Sequence, residues 1–434
     1  MKLSLRSDQF QKILLGVLIF SLFFPIRKVV LTNFSHVTGQ FSDFTTFSLY
    51  LSDILILIIG VYSYFYDRKA ILDRRYLNAV LTIVLITILL NLSQILPFNL
   101  YFLAKIIELY ILYESIRRLL TPALGKFSIK LFVWLASIQV LIATAQFYLQ
   151  RSLGLGLLHE SVLSRTLPGV AKLVVHGEIF IRGYGTFPHP NLLAAFLFSS
   201  IFFAGYLAKS EAVIWRKVLY LSAIILLAFG LFLTFSRAAL LTLPIGLLIF
   251  FFCLFWKKVF DKSWFPILGA LIFSAALSIL ILRPYLATRG TISDEAVAAR
   301  TFYNKIGLEM IKARPLQGFG PGTSLLHMEQ FAPRPMKTWE IQPIHNYYLL
   351  AATELGIVGA AALIYILLSH LWRLYKKFLR ERGSENKIYQ ALLISIFAGF
   401  LVLMLFDHYF YTLQQGQILL WLVLGLMGAE LSKE

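Results

Sequence analysis

Apolar stretches of about twenty residues recur along the chain, and nothing constrains its fold more. A bilayer offers no water to the backbone, so a crossing segment must satisfy its own hydrogen bonds. A helix of roughly 20 apolar residues does so. Twelve such stretches can be read, near 10–31, 45–66, 77–96, 99–120, 129–149, 190–208, 218–235, 238–256, 264–282, 345–370, 389–410 and 416–431. Composition agrees, with 59% hydrophobic and 14% charged residues and a mean hydropathy of +0.76. A soluble domain is about a quarter charged. The pattern predicts an all-α polytopic membrane protein with about twelve transmembrane helices, a single integral membrane domain over 1–434. It excludes a soluble enzyme, a secreted disulfide scaffold and a disordered or collagenous chain.

The net charge of +18 is carried by short clusters of Lys and Arg between apolar runs. Anchors on an anionic cytoplasmic leaflet look like this. A nucleic-acid binder would show a basic face with base-stacking aromatics in a polar domain, so no nucleic-acid partner is expected. With the N-terminus inside, the inner segments hold most of the 40 Lys and Arg, among them Arg68, Lys69, Arg74 and Arg75. This predicts a plasma-membrane protein with both termini cytoplasmic. Lys2, Arg6 and Lys12 before Leu14–Phe24 resemble a signal peptide, but Pro25-Ile26-Arg27-Lys28 follows in place of a small-x-small cleavage site. The segment therefore reads as an uncleaved first span. Cys253 lies in an apolar run and reads as inert packing.

Two long segments then face outward, a smaller loop at 150–190 and a larger one at 283–344. The larger one is too long for a mere connector. Ser293-Asp294-Glu295 reads as a helix start, Ala298, Phe302, Ile306 and Met310 as its apolar stripe, and Pro315 as its end.

The polar segments gather at the outer membrane edge. Arg182-Gly-Tyr-Gly-Thr-Phe-Pro-His-Pro-Asn191 opens the sixth span, with a density of Gly and Pro that fixes irregular backbone. Such backbone is tolerated at membrane depth only inside protein or beside a cavity. Arg182 offers a planar fork of donors suited to phosphate oxygens, or simply binds a lipid headgroup. Arg237 sits in the tight Thr234–Ala238 turn, where a cation is either functional or snorkels to lipid. Arg300 precedes the Pro315–Ser324 stretch, whose glycines can present amides to an anion or form a plain turn. His345 stands where the large loop re-enters the membrane, as a proton acceptor or a structural imidazole. Asn346 follows it, and Glu354 lies nine residues on, on roughly the opposite helix face. Asp407-His408 ends the eleventh span, where a carboxylate needs a partner. Lys105 and Glu108, one turn apart, most simply neutralise each other. No metal motif, nucleotide P-loop or serine nucleophile elbow is present, and no cofactor is called for.

The ordered set formed by the 182–191 motif, Ser236-Arg237, Arg300 with Pro315–Gly322, and His345-Asn346 with Glu354, Gly356 and Gly359 resembles the O-antigen ligase and Wzy-type polymerase superfamily. The motifs span about 180–360; the first five spans carry none. The resemblance implies a metal-independent membrane glycosyltransferase with a GT-C-like helical fold. Such an enzyme would move a glycan from undecaprenyl diphosphate to lipid A-core, a glycan or a protein, inverting the anomeric centre. The roles it implies are diphosphate binding by Arg182, Arg237 and Arg300, catalysis by His345, and support from Asn346, Asp407 and Glu354. A polymerase joining lipid-linked repeat units is the alternative within the family. A transporter is disfavoured because no inverted repeat appears and the polar residues avoid the midplane.

Overall fold

The computed structural model describes residues 2–32, 34–37, 40–66, 74–90, 96–287 and 295–431. It is 74% helical. The chain opens with α1 (Lys2–Phe23), which stops two residues before Pro25, since the ring disfavours helix in the residue preceding it. Four short strands follow: β1 (Arg27–Val30), β2 (His36–Val37), β3 (Gln40–Phe41) and β4 (Phe47–Tyr50). β1 pairs antiparallel with β4, and β2 with β3 between them. The apolar stretches 10–31 and 45–66 therefore overrun their helices. Arg-Lys-Val-Val and Phe-Ser-Leu-Tyr are apolar enough to extend a hydropathy window, yet their β-branched and aromatic residues suit a pleated ribbon.

The remaining elements are α2 (Leu51–Tyr66), α3 (Arg74–Leu90), α4 (Leu96–Leu119) and α5 (Pro122–Leu149). A hairpin of β5 (Lys172–Val175) and β6 (Glu178–Ile181) occupies the smaller outer loop. Then come α6 (Pro190–Ser210), α7 (Ile214–Leu233), α8 (Arg237–Trp256), α9 (Phe265–Ala287) and α10 (Glu295–Ala313). The one-turn α11 (Ser324–His327), α12 (Tyr347–Arg380), α13 (Ser384–Leu403), the one-turn α14 (Tyr409–Thr412) and α15 (Gln414–Leu431) complete the chain. A helix thus occupies each of the twelve apolar stretches. Among the described residues, seven helices are long and apolar enough to cross a membrane: Pro122–Leu149, Pro190–Ser210, Ile214–Leu233, Arg237–Trp256, Lys262–Ala287, Tyr347–Arg380 and Ser384–Leu403. α4 falls outside this group because Lys105, Glu108, Glu114, Arg117 and Arg118 interrupt it. Residues 91–95 of the third stretch, and the basic pair Arg68 and Lys69, lie outside the described residues.

α6 is apolar on all sides and is the central post, buried over nearly its whole length. α5, α7 and α13 surround it, with Phe132 stacked on Phe196 and Phe187 tilted against Phe196 near its start. The large outer loop is shorter at its start than the hydropathy suggests, because α9 carries Arg283 and Pro284 within it. α10 matches the expected amphipathic helix; the Ser293-Asp294 start lies outside the described residues. Its buried face is Tyr303, Ile306 and Met310, with Phe302 half-buried and Ala298 exposed. That face closes a separate small core with Phe319, Leu325, Met328, Met336 and Ile341.

α12 is broken near its outer end. Gly356 sits at φ +69°, where a Cβ would collide with the Leu316 carbonyl. The segment after α10 passes across this break and replaces the missing helical bonds. Phe319 N donates to Thr353 O at 3.0 Å, Gly320 N to Glu354 O at 3.0 Å, and Ile357 N to Pro315 O at 2.8 Å. Interrupted helices survive in a bilayer only with such substitutes. Gly356→Ala should therefore combine about 1–3 kcal/mol of backbone strain with a steric clash. A lower midpoint of heat inactivation of the detergent-solubilised chain is expected; an unchanged midpoint would mean the break is not needed.

Candidate active site

The ends of α5, α7 and α13 and the starts of α6, α8 and α12 bring the polar segments of the sequence together. The 183–189 stretch is irregular, and two glutamines of α5 supply its missing partners. Gln146 Oε1 accepts Gly185 N at 2.8 Å while its Nε2 donates to Gly185 O at 2.8 Å. Gln139 Oε1 accepts Thr186 N at 2.8 Å, and Gly185, at φ +63°, lies against the same side chain. Held by this clamp, Arg182 is buried. Its Nε donates to Thr234 O at 2.7 Å and its Nη2 to Asn191 Oδ1 at 2.7 Å. Thr234 begins the turn that passes through Phe235, at φ +49°, into Arg237 at the first position of α8. The first two arginines thus meet at one turn.

Asn191 continues the chain of contacts. Its Nδ2 donates to Asp407 Oδ2 at 2.7 Å, and His408 N donates to Asp407 Oδ1 at 2.8 Å. Asp407 and His408 form the buried connection between α13 and α14. The His408 ring lies edge-on to that of His345, 5.0 Å between centroids. Tyr303 of α10 stacks on the other ring face at 5.2 Å and 19°. Arg300 is one turn before Tyr303, so the same helix face that buries Tyr303 brings a guanidinium to His345. Asn346 fixes the start of α12: Oδ1 accepts the amides of Tyr348 and Leu349, each at 3.0 Å, and Nδ2 donates to Leu405 O at 3.1 Å. Its contacts are those of a helix cap, and they hold the neighbouring His345 against the Asp407 segment.

Electrostatics follow from this crowding. Burial lowers the pKa of His345 below its ordinary 6.5, and Arg300 lowers it further while Asp407 opposes them. Burial and Arg182 hold His189 down at about 3. Burial alone would raise Asp407, but the facing imidazoles and the Asn191 amide outweigh it and keep the carboxyl at about 2. The cluster therefore holds one carboxylate, neutral imidazoles and the guanidinium groups of Arg182 and Arg300, with Arg237 at the end of the turn that Arg182 bonds. That surplus of positive charge suits an anion.

Two expectations change. The glycine-rich 315–324 stretch does not offer its amides to an external anion. Gly322 N donates to Glu354 Oε2 at 2.7 Å, and Ser324 donates to Oε1 through its hydroxyl at 2.7 Å and its amide at 3.3 Å. The acceptor is the chain's own Glu354, held by the Gly322 turn and by Ser324 at the start of α11. Likewise Lys105 does not pair with Glu108 alone: it lies 2.6 Å from Asp53 and 3.2 Å from Glu108, with Gln414 bonded to both carboxylates. Sequence reading passed over Gln139, Gln146 and Tyr303. Polar amides inside an apolar helix were the available signal for the two glutamines; nothing local marked Tyr303.

The architecture is that of a multi-pass membrane protein. Residues 222–364 match the family model described as O-antigen ligase, which supports the O-antigen ligase superfamily and, in general terms, a ligase- or polymerase-type glycosyltransferase. The matched span contains Arg237, Arg300, His345 and Glu354; Arg182 and Asp407 lie outside it. No curated protein matches the chain.

A buried donor left unpaired costs about 1–3 kcal/mol, so Glu354→Gln, which sets an amide nitrogen against the Gly322 and Ser324 donors, should loosen the 319–326 segment. Amide exchange at Gly322 and Ser324 should quicken by tenfold or more. Exchange as slow as in the parent would show that the carboxylate does not hold the loop.

Proposed function

We propose that this protein is an O-antigen ligase-like transferase. It moves a glycan from undecaprenyl diphosphate to an acceptor on the outer face of the plasma membrane. The observation that carries the reading is the junction at Asp407, where a neutral imidazole and a fixed carboxylate lie within reach of Arg182, through Asn191, and of Arg300. In this reading all twelve apolar helices form one integral membrane domain over 1–434 with a GT-C-like arrangement. Both termini are cytoplasmic, and the segments 150–190 and 283–344 face outward.

Displacement at an anomeric carbon builds negative charge on the departing diphosphate. Guanidinium groups fixed in advance, away from bulk water, stabilise that charge without reorganising. Arg182, Arg237 and Arg300 fill this role, so the reaction is metal-independent. The attacking hydroxyl must lose a proton as it bonds to carbon, and His345 accepts it. Asp407 favours the imidazolium that forms, and Asn346 and Glu354 hold the two ends of the site in place. Attack opposite the leaving group inverts the anomeric centre.

His345→Ala should abolish transfer, a loss of about 10²–10⁴ from the base alone, with binding of the lipid donor retained. Equal rates for this variant and the parent would reject the base. The base works only when neutral, so transfer falls as pH drops through the lowered pKa, below 6.5. Asp407 raises that pKa; Asp407→Asn should therefore move the acid limb of the pH–rate profile to still lower pH. A limb that stays put or moves up would remove Asp407 from the proton transfer. Arg300→Ala should weaken donor binding or leaving-group departure, and unchanged kinetics with the lipid donor would count against it.

Ligase and polymerase differ in the acceptor. The length of the undecaprenyl-linked glycan that accumulates when the gene is deleted separates them. Long unattached polymer means that attachment has been lost; single repeat units mean that a polymerase is missing.

A further inference from the structure

A second cavity lies beside the Asp407 junction, and the reading above makes no use of it. It is a small, partly open cleft with a volume of about 100 Å³. The β4 segment, the start of α4, the Gly322–Leu325 turn and α14 enclose it. Three features define the ligand it fits.

The first is a rigid aromatic wall. Phe47 packs on Phe98 at 5.0 Å and on Tyr101 at 4.9 Å between ring centroids. The Tyr101 hydroxyl donates to Ser48 O at 2.9 Å, pinning β4 to α4. The second is a ring of uncharged polar side chains, Thr46, Ser48, Thr412, Gln414 and Gln417; Thr46, Gln414 and Gln417 donate within the chain, which leaves their oxygens as acceptors. The third is that each charged side chain lining the cavity already has a partner within the chain. Asp43 pairs with Arg27 at 2.6 Å, Lys105 with Asp53 and Glu108, and Glu354 with the Gly322 and Ser324 amides. Aromatic faces with hydroxyls and amides, and no charge left to satisfy, suit a neutral sugar: its C–H faces lie on the rings and its hydroxyls meet the polar groups. An anionic phosphate would find no unpaired cation here. Below Phe102 and Tyr411 the space turns apolar, lined by Val80, Ile83, Val84 and Leu109, so the sugar-fitting part is the outer end alone.

The cavity is one ring away from His345. Phe44, on its wall, meets the His408 ring edge-on at 5.5 Å, and Thr412 Oγ1 lies 2.6 Å from His408 Nδ1. His408 in turn touches His345. We propose that this cavity binds a neutral sugar of the acceptor glycan and delivers its hydroxyl to His345 from the His408 side. Arg182 and Asn191 reach the same junction through Asp407. The assignment of the sugar as acceptor rests on the transferase reading; the sugar-binding chemistry does not.

The test uses the full-length protein purified in detergent. The probe is the dephosphorylated core oligosaccharide released by mild acid from the cell's lipid A-core, an acceptor glycan that carries no carrier diphosphate. Saturation-transfer NMR should show it bound to the parent chain. Phe47→Ala and Gln417→Ala should each weaken binding about tenfold, equivalent to about 1.4 kcal/mol. Phe47→Trp should retain it, which guards against misfolding as the explanation, and His345→Ala should bind as the parent does. In the transfer assay, Phe47→Ala should raise the acceptor KM about tenfold and leave the lipid-donor KM unchanged. No binding by the parent chain, binding indifferent to both cavity variants, or a shift in the donor KM instead would overturn the proposal. If the cavity variants weaken glycan binding while His345→Ala transfers at the full rate, the catalytic reading falls and the sugar site stands.

Discussion

One buried carboxylate organises the outer end of this molecule. A charge at the edge of a bilayer is expensive unless partners surround it, and Asp407 recruits them from distant parts of the chain. Asn191 brings the start of α6, and through it Arg182 and the Thr234 turn. The histidines bring the starts of α6, α12 and α14. Satisfying this charge therefore assembles a site from segments more than two hundred residues apart. Arg182 then stands where it does because Asn191, held by the carboxylate, accepts a hydrogen bond from its guanidinium.

Glu354 does for the large outer loop what Asp407 does for the helix ends. The break at Gly356 opens α12, the 315–322 segment passes across the opening, and the carboxylate accepts the amides that follow. The loop is thereby locked to the bundle at one end and, through Tyr303 against His345, at the other. Arg300 rides on a helix whose position both contacts determine. Rigid support of this kind matters because charge stabilisation depends on donors that are in place before the reaction begins.

Much of this was legible along the chain. The twelve apolar stretches, the amphipathic helix ended by Pro315, and Arg182, Arg237, Arg300, His345 and Asp407 all stand out, because hydropathy and lone charges at membrane edges are local properties. The hairpin between α1 and α2 was not legible, since short apolar strands and a helix end look alike to a hydropathy window. Nor were the partners of Lys105 and Glu354. Each prefers the nearest opposite group in sequence only until the fold brings Asp53 or the Gly322 turn closer.

The sequence by itself determined that this chain lies in a membrane as helices, which residues are too polar to face lipid, and which of these sit at the ends of the apolar stretches. A bilayer penalises each misplaced charge individually, so those facts can be read residue by residue. Only the tertiary structure decided which polar groups share a junction, that the glycine-rich stretch binds its own Glu354, and that an aromatic cavity opens beside His408. Those outcomes depend on distances between segments far apart in the chain, and packing around α6, not local pattern, sets those distances.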